Sequence, residues 1–352
     1  MSLEKILEGA KKDGITREEA LYLFRNVEKY DQALELFKVA SSVRDDEVGS
    51  VFKLDGFMGL VTHCTVNPPC RYCRRSSTMP KSGFEPEDVL TLDEISEGAR
   101  LIKSTGTNII ELGGGTTIGN DGKNVIGAVK AVRKTANLDI WVNVGPALSE
   151  DTLRELKKLG VVEVCSSFEV NPLNEGLFRE VKPGDNLEAR KNLAEMINEV
   201  GLRYASVLMC GLGESYQDRV DHMFYLKQFE NFEYFLITWF HPFPGTPLGN
   251  RPLTSPLEAA KTAAIARLIF RDIDIHVSGY EHIPLWIMAG ANRAVHAGAS
   301  VHRVRDGYGW HTLGAKVKHI NDRLDFINLL PTTVKMITGA GMDVEAEIDA
   351  KY

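Results

Sequence analysis

The sequence predicts an α/β fold: a (β/α)8 TIM-type barrel behind an N-terminal helical extension. Three observations carry that prediction. From about residue 57, short apolar runs alternate with amphipathic stretches of helical period. About eight such units occupy roughly 250 residues, the size of a closed barrel. Several of the helical stretches end in glycine, the usual stop before a new strand. Repeated strand–helix units call for parallel strands with right-handed crossovers. An open doubly wound sheet satisfies the same rhythm and is the structural alternative.

Taken in order, residues 1–50 read as helices. Leu3, Ile6, Leu7 and Ala10 share one helical face, Leu34, Phe37 and Val39 do so less strictly, and Thr16 ahead of Glu18 and Glu19 marks a helix start. The candidate strands are FMGLVTH (57–63), NIIELGGG (108–115), LDIWVNVG (138–145), VVEVCSSFEV (161–170), YASVLMCGLG (204–213), YFLITWFHP (234–242) and IDIHVSGY (273–280). An eighth lies somewhere in 286–304. LDEISEGARLIKSTG, SEDTLRELKKLG and NLEARKNLAEMINEVG are among the helices between them. The expected organisation is an extension at 1–50, a barrel at 51–310, and a segment at 311–352 packing on the barrel.

Composition narrows the function. The chain has 352 residues, 43% hydrophobic and 25% charged, which is ordinary for a globular protein with a full core. A net charge of -7 gives no general electrostatic case for nucleic acid. No apolar run reaches membrane-spanning length, and the charged N-terminus has no signal-peptide core. The expectation is a cytoplasmic protein without nucleic-acid or membrane partners, and its five cysteines suit a reducing compartment.

Three of those cysteines, Cys64, Cys70 and Cys73, crowd into HCTVNPPCRYC, whereas Cys165 and Cys210 lie far off in apolar runs, where buried free thiols are the default. Thiolates this dense point to metal. Two readings stand at this level. One is a zinc site completed by a distant ligand such as His63, Cys165 or Cys210. A second C-x-x-C pair, usual in structural zinc sites, is absent. The other is a 4Fe–4S cluster with three cysteine ligands and one open iron. Arg71, Arg74 and Arg75 beside the loop could offset a cluster's negative charge. His63, His241 and His296 are candidate proton donors or substrate ligands, although a structural role is the default for each.

A three-cysteine loop directly after the first strand of a (β/α)n domain resembles the radical SAM superfamily. That resemblance implies a 4Fe–4S cluster on Cys64, Cys70 and Cys73. S-adenosylmethionine (SAM) chelates the open iron and is cleaved to a 5′-deoxyadenosyl radical that abstracts hydrogen from a small organic substrate. It also implies an electron donor of the flavodoxin or ferredoxin type. The spacing here is Cx5CxxC instead of the usual CxxxCxxC, the extra residues falling in TVNPP.

Further segments resemble the branch containing biotin synthase and the maturase HydE: ELGGGT, FEVNPLNEGLFREVKPGD, NLEARKNL, VLMCGLGES, PFPGTPL and MAGANRAVHAG. The resemblance implies SAM contacts from Tyr72 and from Gly113 and Gly114, with Asn143 a weaker one. It implies others from Glu169, from Arg190 (whose fork suits a carboxylate), and from Met209 and Gly211 near adenine. Biotin synthase holds a second cluster through cysteines whose places here are taken by Glu111, Trp141 and Ala205, so sulfur insertion by that route is not expected.

The Cx5CxxC spacing on such a barrel resembles the HmdB (HcgA) group, associated with building the iron–guanylylpyridinol cofactor of the iron-only hydrogenase Hmd. Other HydE-like or methylornithine-synthase-like chemistry is the enzymatic alternative, and a zinc-binding barrel scaffold the non-enzymatic one.

Overall fold

The structure is a computed structural model that describes residues 2–79, 84–301 and 314–352. Eight parallel strands close into a barrel: β1 (Val51–Met58), β2 (Ile109–Gly113), β3 (Asp139–Asn143), β4 (Val161–Cys165), β5 (Arg203–Cys210), β6 (Phe232–Trp239), β7 (Asp274–Val277) and β8 (Arg293–Val301). Each pairs with the next, and β8 returns to β1 from Lys53↔Arg293 to Met58↔Ala299. This is the (β/α)8 class the sequence predicts. Helices cover the outside, among them α4 (Leu92–Ser104), α5 (Lys123–Thr135), α6 (Glu150–Lys158), α8 (Leu187–Val200), α9 (Tyr216–Leu226) and α10 (Pro256–Phe270), with the short α7 (Glu175–Val181) before α8 and α11 (Ile283–Met288) after β7.

The local chemistry follows the expected signals. Thr16 caps α2 (Arg17–Asn26) in a reciprocal capping box with Glu19. Gly201 ends α8 in the left-handed conformation, at φ 70°. α10 is buried on nearly every side, because α2 and α3 (Tyr30–Glu47) of the N-terminal region lie on its outer face while its inner face packs against β6 and β7. Ile6, Leu7 and Ala10 of α1 (Leu3–Ala10) are buried in the same core.

Several expectations shift in detail. The first strand is Val51–Met58, largely upstream of the predicted run at 57–63. Lys53 and Asp55 disguise it, because a buried carboxylate is tolerated only where a partner from elsewhere in the chain meets it. The fourth strand stops at Cys165 instead of running on to Val170. The eighth is Arg293–Val301. The predicted boundary at 310/311 lies outside the described residues. Beyond it, β10 (Leu324–Asn328) pairs antiparallel with the far half of β8 and with β9 (Lys316–His319). α12 (Leu330–Gly339) follows, and β11 (Asp343–Val344) pairs with the start of β1. β7 meets β8 only at His276↔Arg293, which leaves the rest of that edge of β8 to β10.

The barrel interior is polar at its centre. The Arg293 guanidinium lies 3.9 Å over the Tyr234 ring and is bonded by Asp55 (2.8 Å), Glu163 (3.3 Å) and Asp274 (3.5 Å). Trp141 Nε1 donates to Asp55 Oδ2 (3.2 Å), and the Tyr234 hydroxyl meets His276 Nδ1 at 2.7 Å. Burial pushes the Asp55 and Glu163 carboxyls up, and Arg293 partly offsets it. For Asp274, burial also acts upward, but Arg293 and Lys53 overcome it and hold the carboxyl below its ordinary value.

Removing the guanidinium takes the principal counter-charge from the buried Asp55 and Glu163, while Asp274 keeps Lys53. Arg293→Met is expected to cost about 3–5 kcal/mol in denaturant unfolding at neutral pH. Without Arg293 the Asp55 and Glu163 pKa values rise further above their unfolded values and Asp274 loses part of what holds it down, so the folded chain binds more protons. The variant should therefore regain stability as pH falls from neutral toward the ordinary carboxylate range. A loss that is the same at both pH values would refute this account.

Candidate active site

The three clustered cysteines sit in the loop after β1, at the C-terminal mouth of the barrel, where (β/α)8 enzymes place their chemistry. All three are free thiols, half-buried, and line one cavity of about 360 Å3. His63, Tyr72, Gly113, Gly114, Asn143, Glu169, Arg190 and Met209 line the same cavity. The tertiary fold thus gathers residues drawn from positions 63 to 209.

The cysteine loop is held by backbone. Residues 61–65 run beside the chain leaving β2: Val61 N donates to Gly113 O (2.9 Å), Gly115 N to Thr62 O (3.0 Å) and Thr65 N to Thr116 O (2.8 Å). Glycine is required by this approach. A Cβ on Gly114 would lie 2.3 Å from Thr62 Oγ1, and one on Gly115 2.2 Å from the Cβ of Cys64. The far side of the loop is braced by the segment after β6, where Ser77 Oγ donates to Pro244 O (2.7 Å) and Thr78 N to Gly245 O (3.0 Å). Arg71 N donates to Val181 O (2.9 Å), tying the loop to α7. PFPGTPL therefore acts here as a support for the thiols.

The charges around the thiols are ordered. Arg75 Nη1 lies 3.6 Å from Cys64 Sγ and also donates to Val66 O. Burial pushes the Cys73 thiol up to about 12, against a hydrogen bond from the Arg75 backbone, and burial also raises Cys70. Thiols so placed become thiolates when a metal centre takes the proton's place. Among the described residues no three His, Cys, Asp or Glu side chains are grouped about a single-ion position. Cys165 and Cys210 are buried away from the loop, in the barrel lumen and against Thr262 respectively.

Beside the Cys70 end of the loop, Glu169 has φ 62° and bridges to β5 through Glu169 N to Val207 O (2.9 Å) and Met209 N to Glu169 O (2.8 Å). Its carboxylate accepts from Ser167 Oγ (3.0 Å) and from the fully buried Lys182. Asp185 forms an ion pair with Lys182 (3.3 Å) and, through one oxygen, accepts from Arg190 Nε (2.9 Å) and Nη2 (2.5 Å). Burial alone would raise Asp185, but the two cations hold its carboxyl well below the usual range. The fork of Arg190 is thus already engaged by an internal carboxylate.

Sequence reasoning did not single out Lys182 or Asp185. The available signal was KPGD, a cation and an anion on either side of a turn, but nothing in it foretells burial. Glu111, noted only as a missing cysteine, lines the cavity and accepts from Asn143 Nδ2 (3.1 Å). Trp141 and Ala205 also face the lumen. Gly211 does not line the cavity. Its φ is 99°, its N–H donates to Glu214 (2.8 Å), and a Cβ there would strike Thr254 Oγ1 at 1.8 Å, so it shapes a turn. His241, bonded to Trp239 O (3.1 Å), and His296, bonded to Thr333 Oγ1 (2.9 Å), also lie outside the cavity lining.

A protein-family model described as the radical SAM superfamily matches residues 59–226. An uncharacterized protein of Methanocaldococcus jannaschii is 39% identical over 274 residues, 78% of this chain and 72% of that one. A biotin synthase of Carboxydothermus hydrogenoformans is 27% identical over 300 residues, 82% and 88% of the two chains. Among solved structures, methylornithine synthase (PylB) superposes with a TM-score of 0.77 at 20% identity, covering 99% of both chains. The hydrogenase maturase HydG of Carboxydothermus hydrogenoformans gives 0.68 at 21% identity, over 84% of this chain and 70% of that one. These two show the shared fold. No helix among the described residues is long and apolar enough to cross a membrane. The family match begins in the cysteine loop and runs through α9; the chain is an enzyme of the radical SAM superfamily, a family that implies a 4Fe–4S cluster and SAM.

Proposed function

We propose that Cys64, Cys70 and Cys73 hold the 4Fe–4S cluster and that the charged wall beside Cys70 receives SAM. One observation carries this reading: three free thiols and the Glu169–Lys182–Asp185–Arg190 group line the same cavity. A cubic cluster takes three thiolates on separate irons and leaves the fourth iron open, whereas a structural zinc site needs four protein ligands. When bound, the cluster and SAM supply reductive cleavage of the sulfonium and with it a 5′-deoxyadenosyl radical able to abstract hydrogen from a small organic substrate.

The protein's own part is placement. Glu169 offers carboxylate oxygen to an ammonium group, while Lys182 and Arg190, held in position by Asp185, offer positive charge to a carboxylate. Tyr72, Gly113, Gly114, Asn143 and Met209 complete the wall. Gly114 and Gly115 let the β2 exit press against the loop, fixing Cys64. The barrel walls exclude water around a reactive intermediate. An external donor of the flavodoxin or ferredoxin type supplies the electron. The finer assignment is a step in making the pyridinol ligand of the iron-only hydrogenase cofactor, supported by the Cx5CxxC spacing. A genome that carries this gene without that hydrogenase would count against it.

Anaerobically reconstituted wild-type protein, given SAM and dithionite, should release 5′-deoxyadenosine and bind about four irons per chain. Cys70→Ala should abolish product release. Product formed at the wild-type level by that variant would reject the ligand assignment.

The glycine clamp makes a separate prediction. Gly115→Ala drives a Cβ into Cys64 and should at least halve the iron bound per chain, while Gly9→Ala on α1, with nothing within 4 Å, should leave it unchanged. Equal iron in both variants would show that the clamp does not position Cys64.

A further inference from the structure

Beneath the thiols, the lumen-facing part of the cavity is lined by Phe57 (β1), Glu111 (β2), Asn143 (β3), Val207 (β5), and Leu236 and Thr238 (β6). It is apolar apart from a few groups, and Glu111 is the acidic one among these. One carboxyl oxygen, Oε1, accepts from Asn143 (3.1 Å); the other has no hydrogen-bond partner among the described residues. Cations on the cavity wall are committed elsewhere: Arg75 to Val66 O beside Cys64, Lys182 to Glu169 and Asp185, and Arg190 to Asp185. Arg293 is bonded to Asp55, Glu163 and Asp274. With Lys182 and Arg190 assigned to SAM and Arg75 bonded beside Cys64, a substrate carboxylate would find no further lysine or arginine among the described residues of this lining, whereas a protonated nitrogen would find Glu111.

We propose that Glu111, positioned by Asn143, anchors the substrate through a basic nitrogen, with the substrate's apolar part against Phe57, Val207 and Leu236. This identifies the substrate class as a compact, amine-bearing molecule, and it rests on the radical SAM reading of the thiol-lined rim. The electrostatics agree. Burial pushes the Glu111 carboxyl up to about 8, with the Asn143 hydrogen bond and Arg293 pulling down and Asp55 and Glu163 pushing up. Tyr234 on β6 and Cys165 on β4 also face it across the lumen. With no cation beside it the acid keeps its proton at neutral pH; an ammonium beside it favours the carboxylate, the proton passing to solvent.

Three probes that share a ring and differ in charge test this: benzylamine, benzyl alcohol and benzoate, titrated by ligand-observed NMR into the reconstituted, SAM-saturated full-length protein. Benzylamine should bind at least tenfold more tightly than the alcohol, and benzoate more weakly than either. Glu111→Gln, which matches the protonated acid in shape and charge, should lose the preference for the amine. If that variant unfolds, as read by circular dichroism, Glu111→Asp should keep a reduced preference.

The proposal is overturned if benzoate binds as well as the amine, or if Glu111→Gln keeps the full preference. It is also overturned if benzylamine binds the reconstituted protein before SAM is added and SAM then displaces it, since the ammonium recognised would then be SAM's own. The same titration on cluster-free chain separates the two readings. Failure to bind iron with the amine preference intact defeats the rim assignment alone, and iron bound without the preference defeats the Glu111 assignment alone.

Discussion

The barrel is organised around one buried cation. Arg293 enters from β8 and is met by carboxyls from β1, β4 and β7, with the Tyr234 ring of β6 beneath it. Several buried acids without a counter-charge would be prohibitively costly in a dry lumen, and one buried guanidinium without acids equally so. Together they join four strands that are remote in sequence. The charge of that guanidinium is shared among these carboxyls, although its Nη2 makes no hydrogen bond among the described residues. In the upper lumen, Glu111 keeps one oxygen without a hydrogen bond among the described residues.

Above that layer, the mouth depends on a close approach between two backbones. The cysteine loop is an irregular segment whose position is set by hydrogen bonds to the chain leaving β2, by the brace after β6 and by the end of α7. Three glycines in a row at 113–115 combine two needs: a strand end open to the cavity, and room for the backbone of residues 61–65. The adjoining wall beside Cys70 is built differently, from a buried salt-bridge group in which Asp185 orders Lys182 and Arg190. The thiol side is fixed by backbone hydrogen bonds, the other side by charge.

Much of this was legible beforehand, for identifiable reasons. Strand–helix alternation survives in the sequence because buried parallel strands are nearly continuous apolar runs. Thr16 with Glu19 and the terminal glycine of α8 are local signals, and each forms as expected. The cysteine cluster was visible because its members are close in sequence. β1 was misplaced because Lys53 and Asp55 break the apolar run, and their partners Asp274 and Arg293 lie more than two hundred residues away. Gly211 shares the glycine-rich look of a ligand-facing turn, yet the structure turns it toward Glu214 and Thr254 instead.

By itself the sequence determined the (β/α)8 class, the location of the thiols at a strand's C-terminal end and the superfamily resemblance, because each is written in local periodicity or short spacing. Tertiary structure alone decided which side chains share the cavity and which charges are already spent. That Arg190 is engaged by Asp185, that Lys182 is fully buried against Glu169, and that Glu111 keeps an oxygen unpaired among the described residues all depend on how the barrel packs. Burial and charge pairing are properties of the packed barrel, and no local pattern encodes them.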